Sequence, residues 1–207
     1  MRYYIADCHF GDDAICALDG RPFASVEEMD AVMSERWNET VRKNDEVVIL
    51  GDFCRGKGER ANALLAQLHG RKYMVTGNHD HVFLRDKAFR QEHFVWIKPY
   101  AELHDNRRKL VLCHYPILCY NGQYHGDSTY MLYGHVHATA DYDNIRRFQK
   151  ESTEIQYRPR VQGGELGEPR HLACNLINCF TVFSDYRPLT LDQWIDRQLV
   201  GSGLFSQ

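Results

Sequence analysis

The chain lacks the features that would fix its class at once. It has no run of about 18 apolar residues, so no segment reads as a membrane-spanning helix. It has no marked excess of charge: 25 Lys and Arg stand against 28 Asp and Glu, a formal net charge of -3. A near-neutral chain makes no global field that would gather nucleic acid or anionic membrane, although a local basic patch is compatible with this balance. The seven cysteines include no Cys-x-x-Cys pair, and the N-terminus meets Asp7 before a signal-peptide apolar region can develop. An odd number of cysteines without a leader predicts reduced thiols and a cytoplasmic location. Internal repeats and low-complexity tracts are also missing. What remains is an ordinary globular composition, 43% hydrophobic and 26% charged over 207 residues, which predicts one domain (1–207) with a substantial core.

Strand and helix signals alternate along the chain, which predicts an α/β fold. Residues 2–6 read as a first strand running straight into Asp7-Cys8-His9. Ser25 and Glu28 have capping-box spacing, and Val26, Met29, Met33, Trp37 and Val41 recur at helical period, so an amphipathic helix is expected to about residue 43. The apolar run 47–50 reads as a buried strand ending at Gly51-Asp52. A helix over 59–69 stops at Gly70, and a strand over 73–76 delivers Gly77-Asn78-His79-Asp80. Segments 100–104 and 109–113 read as strands paired around Asp105-Asn106, the second delivering His114. Segment 130–133 leads into Gly134-His135-Val136-His137. Residues 139–170 are polar and end in Pro and Gly, with six Lys and Arg against four Glu between 146 and 170. They read as a mildly basic surface excursion. The apolar pattern returns over 172–183, and Thr190 with Gln193 caps a final helix through Trp194 and Leu199.

The chemistry gathers where strands end. Asp7, His9, Asp52, Asn78, His79, His114, His135 and His137 all follow apolar strands at once, and binding groups in open α/β sheets collect beyond the carboxyl ends of strands. Asp-x-His and His-x-His place alternate side chains on one side of an extended backbone, so each pair can grip one ion. A mixture of carboxylate, amide oxygen and imidazole suits Mn2+, Fe or Zn2+ better than Ca2+ or an iron–sulfur cluster, and Mn2+ is the first expectation. Seven ligands drawn from this set would be too many for one catalytic ion with an open position, and about right for two ions sharing a carboxylate.

The series Asp7-x-His9, Gly51-Asp52, Gly77-Asn78-His79-Asp80, His114 and Gly134-His135-x-His137 resembles the calcineurin-like metallophosphoesterases, with all five blocks in that family's order. The tail 185–191, Asp-Tyr-Arg-Pro-Leu-Thr-Leu, also resembles the end of small bacterial members. The resemblance implies a four-layer α/β/β/α sandwich of two mixed sheets flanked by helices. It implies a first ion on Asp7, His9 and His137, a second on Asn78, His114 and His135, and Asp52 bridging them. It further implies hydrolysis of a phosphodiester, or of a phosphomonoester, through a metal-bridging hydroxide, with His79 as the catalytic side chain that stabilises developing charge or protonates the leaving oxygen. The implied partner is a small phosphate ester, a nucleotide among the options.

One block departs from the pattern. Larger members carry Gly-Asp-x-x-Asp-Arg, but here Gly51-Asp52-Phe53-Cys54-Arg55-Gly56 puts Arg55 where the second Asp would stand. A guanidinium fork suits phosphate, so Arg55 is read as a substrate contact, and a protein Ser/Thr phosphatase becomes a weaker expectation. Tyr115, Tyr120, Tyr124, Tyr130 and Tyr133 could stack a base but fit packing and rim positions better. Two alternatives stay open. A metal-dependent nuclease would need an extended basic groove, for which only the 146–170 stretch is a candidate. A non-catalytic scaffold on the same fold would be expected to have lost ligands or His79, and none is missing.

Overall fold

The computed structural model describes residues 1–201. A parallel sheet is built in chain order from β1 (Arg2–Ile5), β2 (Glu46–Leu50), β3 (Arg71–Val75) and β4 (Phe94–Lys98). Between them run α1 (Asp13–Leu18), α2 (Val26–Thr40), α3 (Gly58–Gln67) and the single-turn α4 (His81–Leu84). Crossovers between parallel neighbours share one hand, so strands added in one direction put their helices on one face. The strands deliver the matching period-2 pattern. Tyr3, Ile5, Val47, Ile49 and Met74 pack with Met29, Met33 and Trp37 of α2 and Ala61, Leu64 and Leu65 of α3.

The other faces of those strands, through Tyr4, Val48, Leu50 and Val75, pack against a second sheet. That sheet has the order β10 (Leu176–Asn178), β7 (Thr129–Tyr133), β6 (Arg108–Cys113), β5 (Tyr100–Asp105). Its β5–β6 pair is the anticipated hairpin, turned by Asn106 and Arg107 at φ of 46° and 63°, the two left-handed positions that a tight primed turn requires. Strands β6, β7 and β10 are parallel. Leu110, Leu112, Leu132 and Ile177 face the first sheet, with Trp194 of α6 (Leu191–Gly201) closing the layer. Val111, Met131, Tyr133 and Leu176 point outward, onto α5 (Ala140–Glu154). Fully burying each such side chain contributes about 1.5–3 kcal/mol. Thus two sheets, one parallel and one mixed, are flanked by helices.

The polar stretch 139–170 needs correction. Its first half is not an excursion but α5, fifteen residues long and capped by Thr139 accepting from Asp141 N. It buries Ile145, Gln149 and Ser152, and Gln149 donates to the carbonyls of Cys174 and Leu176, at 3.0 and 2.9 Å, so part of its inner face is polar and invisible to a hydrophobic pattern. The second half forms a small exposed hairpin of β8 (Gln156–Tyr157) and β9 (Arg170–His171). Capping by Ser25 and by Thr190 with Gln193 occurs as the sequence predicts. Strand β4 and helix α1 are not anticipated: β4 buries only Phe94 fully, and α1 is a six-residue helix resting on the Asp12 cap. All seven cysteines are free. Among the described residues no helix is long and apolar enough to cross a membrane.

Candidate metal centre

The carboxyl ends of β1, β2, β3, β6 and β7 carry every singled-out residue. The two sheets are tied where these ends meet: Ala6 N donates to Cys179 O at 2.8 Å, and Thr181 N to Ala6 O at 3.0 Å. Asp7, His9, Asp52, His135 and His137 are all left-handed, with φ between 47° and 71°. The Asp-x-His and His-x-His pairs therefore do not sit on extended backbone, as their spacing suggests; the chain coils at each donor. Left-handed non-glycine residues cost about 1–3 kcal/mol each and persist where the surroundings over-determine them. Here the surroundings include close glycines. A Cβ at Gly51 would lie 2.3 Å from His114 Nδ1, and one at Gly134 would lie 2.5 Å from Asp7 Oδ2.

Two sets of donor atoms converge within 4.8 Å of one another: Asp7, His9 and His137, and Asp7, Asp52 and His114. Asp7, His9, Asp52 and His114 are buried, His137 is half-buried, and Asn78, His79 and His135 are exposed and form the mouth. His137 Nε2 lies 3.6 Å from Asp7 Oδ1. Asp52 Oδ2 lies 3.3 Å from His114 Nε2 and 3.7 Å from His9 Nε2. Asn78 Oδ1 lies 3.1 Å from His114 Nε2. The ring of His135 stands farther out, 5.1 Å from that of His114, while its backbone N–H donates to both oxygens of Asp7 at 3.0 and 3.1 Å.

The imidazoles are aimed from behind. His114 Nδ1 is 2.8 Å from Leu50 O and donates to it, which leaves Nε2 for the cluster. His137 Nδ1 donates to Asp19 Oδ1 at 2.7 Å, with the same consequence. His9 Nε2 is buried with no hydrogen-bond partner. A buried orphan lone pair beside two carboxylates is what a cation would satisfy, so these residues fit a metal.

Asp80 accepts from Gly77 N, Phe53 N and Asp52 N at 2.7, 2.8 and 2.9 Å, and so ties the Asp52 loop to the Asn78 loop. Asp80 follows His79 in its block and reads from the sequence as a structural carboxylate, which agrees with this clamp, whereas Asp19 carried no pattern that marked its role. Asp19 is far from His137 along the chain, and only its place between a short helix and the buried Arg21 reveals it.

Burial dominates the electrostatics. It pushes Asp7 up to about 6, against the charges of His114 and His137, and pulls His9 down to about 4. For His114 burial acts downward, but the hydrogen bond with Asp52 and the charges of Asp7 and Asp52 outweigh it and raise the group to about 9. Its second proton stands where a cation would. Asp52 answers in kind: burial acts upward, His114 and the His79 N–H overcome it, and the carboxyl falls to about 2.

At the rim, Arg55 is 58% exposed, with its guanidinium 3.5 Å from Asp12 Oδ2. That same carboxylate oxygen is 3.5 Å from His9 Nδ1. The His79 ring lies 5.5 Å from that of His9, and among the described residues no side chain hydrogen-bonds it. The tyrosines divide: Tyr120 and Tyr133 are core, Tyr130 packs between the sheets, and Tyr124 is exposed against Tyr157. Only Tyr115 reaches the mouth, its ring 4.5 Å from that of His135.

Donors of this kind at the strand ends of two packed sheets define a metal-binding α/β protein. The family model described as calcineurin-like phosphoesterase matches residues 3–163, and the chain belongs to that family. Membership supports a metal-dependent hydrolase acting on phosphoester bonds. The uncharacterized protein MJ1445 of Methanocaldococcus jannaschii is 33% identical over 138 residues, 66% of this chain and 69% of that protein. The Gene 66 protein of Mycobacterium phage L5 is 37% identical over 82 residues, 38% of this chain and 39% of its own length. The crystal structure of AQ665 from Aquifex aeolicus, a protein of unknown function, superposes with a TM-score of 0.61 at 22% identity. It covers 96% of this chain and 98% of AQ665, and shows the shared fold.

Proposed function

We propose that this chain is a cytoplasmic phosphodiesterase that works with two divalent transition-metal ions, Mn2+ first among them, on a small phosphate ester such as a nucleotide. The observation that carries the reading is the convergence of metal-capable atoms on Asp52: the orphan Nε2 of His9 faces it, and the Nε2 of His114 lies against both Asp52 and Asn78. Asp7, His9 and His137 would hold one ion, Asn78, His114 and His135 the other. Two such ions supply charge to neutralise phosphate oxygens and lower the pKa of water.

The chain's own groups divide the remaining work. Asp52 is the carboxylate between the two halves. Although Asp7 belongs to both convergent sets, the His114 atom 4.0 Å from it is Nδ1, whose hydrogen is committed to Leu50 O. The other His114 nitrogen, Nε2, faces Asp52. Arg55 at the rim grips a phosphate oxygen through its fork. His79 holds a proton at the mouth for the leaving oxygen. The preference for diesters follows the small bacterial members that the sequence resembles.

Metal loading has a pH signature. With its pKa near 9, His114 is protonated in the metal-free protein at neutrality, and a metal ligand must give that proton up. Apparent Mn2+ affinity is therefore expected to rise about tenfold per pH unit from neutrality to about pH 9 and then to flatten. Calorimetry in buffers of different ionisation heats checks this; proton release near zero at neutral pH would contradict the His114 assignment.

Activity is tested by stripping the protein, restoring Mn2+ and comparing bis-p-nitrophenyl phosphate with p-nitrophenyl phosphate. Faster turnover of the diester is the expected result. The reverse preference would make the protein a phosphatase, and no turnover of either with two ions bound would overturn the hydrolytic reading.

A further inference from the structure

Behind the Asp7, His9 and His137 group lies a buried guanidinium with no task in the chemistry above. Arg21 sits between α1 and α2, its side chain wholly shielded from solvent. Its Nε and Nη2 donate to Asp19 Oδ2 at 3.0 and 2.8 Å. Nη2 also donates to Asp7 O at 2.9 Å, and Nη1 to Cys8 O at 2.8 Å. The guanidinium carbon stands 5.8 Å from the Phe180 ring, and that ring stacks on His137 at 4.6 Å and 26°. The second oxygen of Asp19 accepts from His137 Nδ1 at 2.7 Å.

We propose that Asp19 and Arg21 are positioning residues for one half of the metal centre, the half made of Asp7, His9 and His137, and leave the half around Asp52, Asn78 and His114 unaffected. The inference rests on the two-metal reading above. Accepting the Nδ1 hydrogen, Asp19 fixes the His137 tautomer and turns Nε2 toward Asp7. Arg21 fixes Asp19 in turn, because a planar fork leaves the carboxylate little freedom to rotate. The same guanidinium pins the carbonyls of Asp7 and Cys8, which set the coil of backbone from Asp7 to His9. All three donors of one group thus hang from a single buried ion pair. The other group is oriented by different means: the Leu50 carbonyl holds His114, and Asp80 holds the Asp52 loop. An ion pair serving stability alone would show no such partition.

The test is a Mn2+ titration of metal-free wild type, Asp19→Ala, Asp19→Asn and Arg21→Lys, read by calorimetry and by bound metal per chain. Asp19→Ala is expected to weaken one of two sites by about 10–100-fold, with the other within about twofold. Asp19→Asn keeps an acceptor for the Nδ1 hydrogen and is expected to recover part of that loss. Arg21→Lys keeps the buried positive charge without the fork and is expected to weaken the same single site. A second readout needs no metal: imidazole nitrogen NMR in alkaline solution should place the His137 proton on Nδ1 in wild type and on Nε2 in Asp19→Ala. A folded Asp19→Ala protein with both sites and the tautomer unchanged would overturn the proposal, as would equal weakening of both sites with a falling Tm. Wild type binding fewer than two Mn2+ would instead overturn the two-metal reading, and the tautomer would then decide the role of Asp19.

Discussion

Asp52→Ala is expected to empty both halves of the centre and to abolish hydrolysis. Its Oδ2 faces His114 at 3.3 Å and His9 at 3.7 Å, one residue from each half, while its Oδ1 accepts the backbone N–H of His79 at 2.8 Å. The variant also leaves the neighbouring imidazoles without the carboxylate that stands against them, so the centre loses negative charge with which to hold a cation. Charge stabilisation by metal contributes several kcal/mol to a phosphoryl transition state, and each 1.4 kcal/mol is tenfold, so turnover should fall by about a thousandfold or more. Asp7→Ala is the comparison. It should remove the ion held with His9 and His137 and leave Mn2+ on the His114 side. Metal analysis of the two variants separates the carboxylates. Two ions retained in Asp52→Ala would end the bridging assignment, and two ions lost in Asp7→Ala would transfer it to Asp7.

How the candidate centre is placed was legible because each donor follows an apolar strand directly, and strands buried on both faces leave few places for Asp and His except the exits. What the spacing did not convey was the backbone there. Asp7, His9, His135 and His137 coil through left-handed conformations instead of continuing extended, and nothing in the residue types distinguishes the two. The supports were harder still. Asp80 was readable as a structural carboxylate from its place after His79, but not the three backbone N–H groups on two loops that it holds, and Asp19 works through a histidine far along the chain and leaves no periodic trace. Helix α5 was concealed for a related reason: it meets the sheet through Ile145 together with a glutamine that hydrogen-bonds the carbonyls of Cys174, just before β10, and Leu176, its first residue. Polarity by itself could not separate such a helix from a surface loop.

His79→Ala is expected to lower kcat by about 10²–10⁴-fold while both metals stay bound. The ring is exposed at the mouth, and what ties residue 79 to the centre is its backbone N–H on Asp52, which alanine keeps. Metal content and Tm should therefore match wild type, and this separates the loss from that in Asp52→Ala. A non-catalytic scaffold would lose nothing measurable in the same variant. The size of the loss depends on the leaving group, and that dependence distinguishes two roles for the ring. A p-nitrophenolate departs with little need of a proton, whereas an alkoxide needs one in the transition state. If His79 protonates the leaving oxygen, the variant should retain much of its activity on bis-p-nitrophenyl phosphate and lose nearly all of it on a dialkyl or nucleoside diester. If the ring stabilises charge on the phosphoryl oxygens, both classes should fall by the same factor, because that charge develops whichever group departs.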